Sequence, residues 1–459
     1  MRIRCITNCL IALLALSATA RLAAAPGDTA GPEGSGRPRP VVIGSHTLGN
    51  GLRLLMVEDH TAPVINLQVW YHVGSKDERA GRTGFAHLFE HLMFKGSAHV
   101  GADEHSRLIE AIGGFDNAST NDDTTIYWET FPSNYLERML WLEADRLGSL
   151  NVDEANFKSE REVVKEERRA HYENPPYGLI VEDLYAAAFS VHPYKHTTIG
   201  SMEDLNKATL EDVCDFFHTF YRPDNATVVI AGDFTAAQAV SWSEKYFGGI
   251  PRPAPPLPRV TVQEPPQTAE HRVTKSYGAN SPLPAVVEGY KMPAAYTPDS
   301  YPLNLASNIL SGGESSRLYR KLVYEDRIAV QSAGFGSFTE HPNLFIAYAV
   351  MNQGKTPAEG EKAMEAILEQ MRSSPVDAKE LDKAKNQQIG GFILGRETVQ
   401  EIANALGHDA VIGGDAELLN TNLDRYLRVT PADVQRVARE YFTAARRTIL
   451  IVETPKGAK

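Results

Sequence analysis

The chain has 459 residues, 42% of them hydrophobic and 23% charged, with a formal charge of −12 at pH 7. Such acidity excludes nucleic acid as a partner, because phosphates are held by a basic face. The length is enough for two sizeable cores. Residues 1–25 have the form of a signal peptide: Arg2 and Arg4 precede an almost wholly apolar block over 9–17, and three alanines at 23–25 offer a cleavage site. Export to a bacterial periplasm is expected, with secretion as the alternative. The block is too short to span a bilayer, and nothing later is long and apolar enough to do so. Loss of the leader with Arg2, Arg4 and Arg21 takes the charge to −15, and Cys214 is then the only cysteine, so no internal disulfide can form. Its neighbours Val213, Phe216 and Phe217 suggest a packed core thiol. Residues 26–45, rich in Gly and Pro, are expected to be a flexible leader.

A first domain is expected over 46–250. The run from Val64 to His72 reads as a strand, and 83–96 as one helix between glycines. At about 100° per residue, Phe85, Leu88, Phe89, Leu92 and Met93 share an apolar stripe, with His87, Glu90 and His91 clustered opposite. Two imidazoles one turn apart can grip a single metal ion, with Glu90 beside both, although a polar helix face is ordinarily just solvated. A catalytic zinc needs a third protein ligand and an open position. Further on, Asn117 and Ala118 lie just before the alternating stretch 124–130; by itself Asn117 reads as a residue that fixes a turn after Gly113 and Gly114. Residues 154–172 read as a helix whose inward stripe is Phe157, Val163 and Val164. Glu160 and Glu167 fall inside that stripe, whereas Arg161, Glu162, Lys165, Glu166 and Arg169 point sideways or away. Carboxylates on a core-facing stripe are costly unless they meet a cation. A metal on the facing helix would serve; buried Arg138 or Arg146 is the alternative.

The proline-dense stretch within 251–280 is expected to be an extended linker, followed by a second domain over 281–459. An internal repeat supports the division. Residues 209–221 and 226–231 recur at 430–442 and 447–452 with a constant offset of 221. Each copy pairs a helix capped by Thr, with Asp three residues on, with a buried apolar strand. Strands such as 344–350 and helices over 357–371 and 378–394 complete an α+β pattern. The second half has no His-x-x-Glu-His, so only the first copy can carry this metal cluster.

His-x-x-Glu-His at 87–91, with Glu167 about 76 residues later in an Arg-x-Val-Val-x-x-Glu context, resembles the pitrilysin/insulinase family of zinc metallopeptidases. The likeness is strongest to the short-chain branch that includes the mitochondrial processing peptidases and their bacterial relatives. Residues 84–96, 117–120 (Asn-Ala-Ser-Thr), 192–194, 198–200 and 220–232 look like family landmarks in family order. The resemblance implies two homologous domains, each an antiparallel sheet covered by helices, forming half of a clamshell. It implies one zinc ion per chain on His87, His91 and Glu167. Glu90 becomes the base that takes a proton from the zinc-bound water, Glu160 a supporting carboxylate near the metal, and the strand at Asn117 and Ala118 a docking edge for a peptide backbone.

The pattern breaks where active single-chain relatives carry an Arg and a Tyr that stabilise the oxyanion: the matching positions here are Val323 and Val330. The expectation is a zinc endopeptidase acting on peptides or unfolded segments, paired with a homologous subunit that supplies Arg and Tyr; a homodimer is the other possibility. The rival of a different class is a non-catalytic peptide-binding or assembly subunit, which intact His87, Glu90, His91 and Glu167 argue against.

Overall fold

The structure is a computed structural model that describes residues 39–454; the signal peptide and most of the leader lie outside the described residues. The first half supplies strands β1 (Gly44–Thr47), β2 (Arg53–Glu58), β3 (Val64–Tyr71), β4 (Phe115–Thr120), β5 (Thr125–Pro132) and β6 (Ala226–Gly232). They form one sheet in the order β1-β2-β6-β3-β5-β4. The second half supplies β7 (His271–Lys275), β8 (Ala285–Lys291), β9 (Ala329–Gly336), β10 (Leu344–Met351) and β11 (Arg447–Val452), ordered β7-β11-β8-β10-β9. All pairings are antiparallel except β2 with β6 and β7 with β11. The fold is α+β, two sheets covered by helices.

The repeat emerges as equivalent structure. Helices Leu210–Phe220 and Pro431–Tyr441 both begin with reciprocal capping boxes, Thr209 with Asp212 and Thr430 with Asp433. Each then feeds the strand that makes its sheet's parallel pair, β6 or β11. The partner of β11 is β7, which lies inside the stretch expected to be linker. Leader residues are ordered too: β1 begins at Gly44, and the Asn420 side chain holds both the N–H and the C=O of Val41. Backbone groups beside a sheet or helix demand partners, and these took precedence over the local Gly and Pro content. The proline strap is equally pinned. Arg222 donates to the carbonyls of Pro253 and Pro255, and Glu264 accepts the backbone N–H groups of Ser190, Val191 and His192.

Each half lends a helix to the other. Alternation along a strand gives a sheet two faces. On one face of the first sheet, Ile65, Leu67, Val69 and Tyr71 enter a core shared with helices of the same half. On the other, Leu55, Val57, Trp70, Val229 and Ala231 pack against Ile402, Ala403, Leu406 and Ala410 of helix Val399–Val411. In return, Leu184, Tyr185 and Ala188 of helix Ile180–Ala188 cover Ala285, Val287, Leu344, Ile346 and Leu450 on the second sheet. Helix 399–411 lies so close to β3 that a Cβ on Gly407 would stand 2.2 Å from the Trp70 ring. Gly407→Ala should therefore destabilise the protein by about 1–3 kcal/mol, the usual cost of overpacking, measured by urea unfolding.

A buried polar junction also joins the halves. Tyr194 Oη donates to Asp123 at 2.5 Å, Asp123 accepts the Glu340 N–H at 2.9 Å, and Glu340 binds His72 at 2.8 Å and Lys76 at 3.1 Å. Burial pushes the Glu340 carboxyl up, but the His72 hydrogen bond and the Lys76 charge outweigh it and bring it down to about 2. A carboxyl depressed from 4.5 stabilises the fold above pH 4.5 and loses that contribution as pH falls toward 2. The melting temperature of Glu340→Gln should fall below wild type at pH 6, and the gap should narrow at pH 3.5.

Candidate active site

The helix Phe85–Leu92 is anchored at three points. Its buried face (Phe85, Leu88, Phe89, Leu92) sits in an aromatic bed where Phe89 lies 5.5 Å from Phe216, 5.8 Å from Phe217 and 4.9 Å from Tyr221, ring centre to centre. Its N-terminus meets the buried carboxylate of Glu78, which accepts the N–H groups of Gly84 at 2.9 Å and Ala86 at 2.8 Å. Those are helix-terminal donors with no partner inside the helix. Burial drives the Glu78 carboxyl well up, and the backbone hydrogen bonds oppose it. At the same end Gly84 has φ of 91°, and a Cβ on Gly200 would lie 2.4 Å from its Cα. Only two glycines can cross there.

With one face so fixed, His87, Glu90 and His91 point toward helix Glu154–Arg168. That helix turns inward Phe157, Glu160 and Val164, and Glu167 follows on the same side. Val163, expected in the stripe, is 45% exposed. It lies about 100° from Val164 around the axis, so the 3.6-residue period reaches one valine and not both. Glu166 points away and pairs with Arg169. Past Glu167 the helix loosens into a π-helical turn over Arg169–Glu173, a feature common at functional sites.

One carboxylate oxygen of Glu167 stands 3.7 Å from His87 Nε2 and 3.5 Å from His91 Nε2. Two ligands of a tetrahedral zinc, each at the usual bond length, stand about 3.3 Å apart. The three donors are therefore spaced to share one ion, and two histidines with a glutamate form a known catalytic zinc set. Burial and the neighbouring His91 depress His87, whereas hydrogen bonds to the Glu160 and Glu167 carboxylates overcome burial and carry His91 up to about 9. Glu160 completes a chain behind the ligand: its oxygens meet His91 Nδ1 at 3.3 Å and Lys95 Nζ at 3.0 Å. Burial raises its carboxyl, but those two cations hold it below the usual range.

The arginine alternative fails on geometry: Arg138, expected to be buried, is exposed. Arg146 is fully buried but committed to Glu143, donating from Nε at 3.0 Å and Nη2 at 2.6 Å. Its guanidinium also lies 4.5 Å from the centre of the Tyr127 ring. A second buried group, His105 with Glu129 and Glu143, is close enough to share an ion; this same guanidinium already supplies its positive charge.

Glu90 lies beside the histidines, its Oε2 accepting a 2.6 Å hydrogen bond from Thr120 Oγ1. Burial pushes its carboxyl above the usual range, and the Thr120 bond opposes that. Asn117 and Ala118 sit on β4, the outer strand of the first sheet, paired with Trp128 and Tyr127. The Asn117 side chain accepts the Ala118 N–H at 2.8 Å. Val323 packs against the second core, and Val330 is exposed at the start of β9. Neither side chain has a polar hydrogen to donate. Glu78, Lys95 and Thr120 carry no signal as single residues. Thr120 stands within the Asn-Ala-Ser-Thr landmark at 117–120, and its pairing with Glu90 depends on a contact across 30 residues.

Alanine at His87, His91 or Glu167 should abolish retention of zinc through gel filtration, and Glu166→Ala should retain it. Metal analysis of the four proteins checks the assignment.

Two family descriptions match the chain: "Insulinase (Peptidase family M16)" over residues 53–201 and "Peptidase M16 inactive domain" over 207–388. A relative from Helicobacter pylori, named zinc protease PqqE, is 33% identical over 89% of this chain and 92% of its own. A crystal structure of a protease from Helicobacter pylori superposes with a TM-score of 0.85 at 32% identity, over 90% of this chain and 99% of that one. The periplasmic protease PqqL from Escherichia coli shares the fold, with a TM-score of 0.74 at 16% identity; the match covers 92% of this chain and 48% of that one. Its histidine pair, its two-sheet architecture and these likenesses together make the chain a member of the M16 (insulinase) peptidase family.

Proposed function

We propose that the protein is a zinc endopeptidase of peptides or unfolded polypeptide segments, with one zinc ion on His87, His91 and Glu167. The convergence of those three donors beside a half-buried carboxylate, Glu90, carries the reading. Zinc, when bound, supplies a Lewis acid that polarises the scissile carbonyl and acidifies the attacking water. Glu90 takes the water's proton on its carboxylate and returns it to the departing amine. Glu160 holds the His91 ring through Nδ1, so that Nε2 faces Glu167. The outer edge of β4 pairs with the substrate backbone in an added-strand mode; there the Asn117 side chain must release the Ala118 N–H. Residues 46–250 form the zinc-binding domain; the homologous domain without the site takes in β7 (His271–Lys275) as well as the residues from 281 onward, so the joining strap is shorter than 251–280.

Val323 and Val330 leave the oxyanion without side-chain donors, a deficit that typically costs a factor of about 10²–10³ in rate. The chain is accordingly the zinc-bearing half of a two-subunit enzyme whose partner, a homologue, brings an arginine and a tyrosine. Residues 1–25 direct export to the periplasm, the compartment of the Escherichia coli structural neighbour; no helix of the described residues is long and apolar enough to cross a membrane.

The test is peptidase activity of the mature chain and of Glu90→Gln, alone and with its co-purified partner. Glu90→Gln should keep its zinc and lose about 10²–10⁴-fold in kcat, and wild-type activity should rise when the partner is present. A zinc-loaded wild type inert in every combination would favour a peptide-binding subunit instead.

A further inference from the structure

One side chain outside the metal set stands between the candidate base and the strand proposed to receive substrate. Side chains alternate along β4. Asn117 and Ser119 point to solvent, while Ala118 and Thr120 turn inward. Thr120 is the last paired residue of the strand, opposite Thr125. The turn that follows is held at every step. Asn121 Oδ1 accepts the N–H groups of Asp123 and Thr124, both at 2.8 Å, its N–H donates to the Thr124 carbonyl at 2.9 Å, and its carbonyl accepts the Ser75 N–H at 3.1 Å. A β-branched side chain on such a backbone has few rotamers open to it. Thr120 Oγ1 is thus a fixed donor, aimed at Glu90 Oε2 from 2.6 Å.

Glu90 needs such a donor. Its side chain has three rotatable bonds, it sits beside two imidazoles and Glu167, and Thr120 is the one described residue recorded donating to its carboxylate through a side chain. The hydroxyl bond holds Oε2, and the Thr120 backbone N–H also favours the carboxylate form.

We propose that Thr120 is a positioning residue: its hydroxyl fixes the Glu90 carboxylate so that it faces the reacting water. Thr120 thereby ties the orientation of the base to the edge strand that docks the substrate. This rests on the peptidase reading above.

Two variants separate a donor role from a packing role, because the two readings order them oppositely. Thr120→Val keeps the shape and removes the hydroxyl; Thr120→Ser keeps the hydroxyl and removes a methyl. The proposal expects Thr120→Val to lower kcat by about 10²-fold, the scale of a misplaced catalytic group. KM should stay within about twofold, with zinc content and melting temperature at wild-type values, and Thr120→Ser should keep most of the wild-type kcat. Thr120→Val as fast as wild type, or Thr120→Ser the slower of the two, overturns it. A crystal structure of Thr120→Val reads the positioning without turnover, and so answers even if the wild type proves inactive. A displaced Glu90 carboxylate supports the proposal, and one in its original place overturns it.

Discussion

Everything at the site depends on how firmly one short helix is held from behind. A helix of eight residues is marginal by itself, and this one carries two histidines and a glutamate on a face that water would otherwise solvate. The bed of Phe216, Phe217 and Tyr221, the Glu78 carboxylate at the N-terminus and the Gly84–Gly200 crossing fix its rotation, its start and its depth. Rotation matters most: a turn of a few tens of degrees would separate His87 and His91 from Glu167.

Charge at the site is arranged in alternation. Lys95 holds Glu160, Glu160 holds the His91 ring, and His91 faces Glu167. Such a chain suits groups that cannot leave the interior, because an unpartnered buried charge is far costlier than a paired one. Elsewhere the same rule gives Glu143 its Arg146 and Glu340 its Lys76.

Much of this was legible in the chain. The helical period put His87, Glu90 and His91 on one face, and it put Glu160 and Glu167 where carboxylates do not belong without a cation. The 221-residue repeat anticipated two like units, and the structure gives both copies matching caps and strands. Contacts set by distant residues were not legible. β7 is an unremarkable exposed pentapeptide that becomes a strand because β11 offers it an edge. Thr120 lies in a recognisable motif, yet its partner across the fold cannot be read from spacing.

The exchange of helices between the halves bears on how the molecule can come apart. Helix 399–411 covers Trp70 and Val229 of the first sheet, and helix 180–188 covers Val287 and Leu450 of the second. Pulling one half from the other would strip an apolar face from both sheets at once. The strap is therefore no hinge; from Pro40 onward the chain should melt in one cooperative transition, and a gene cut between the repeats would yield two fragments that aggregate unless they meet.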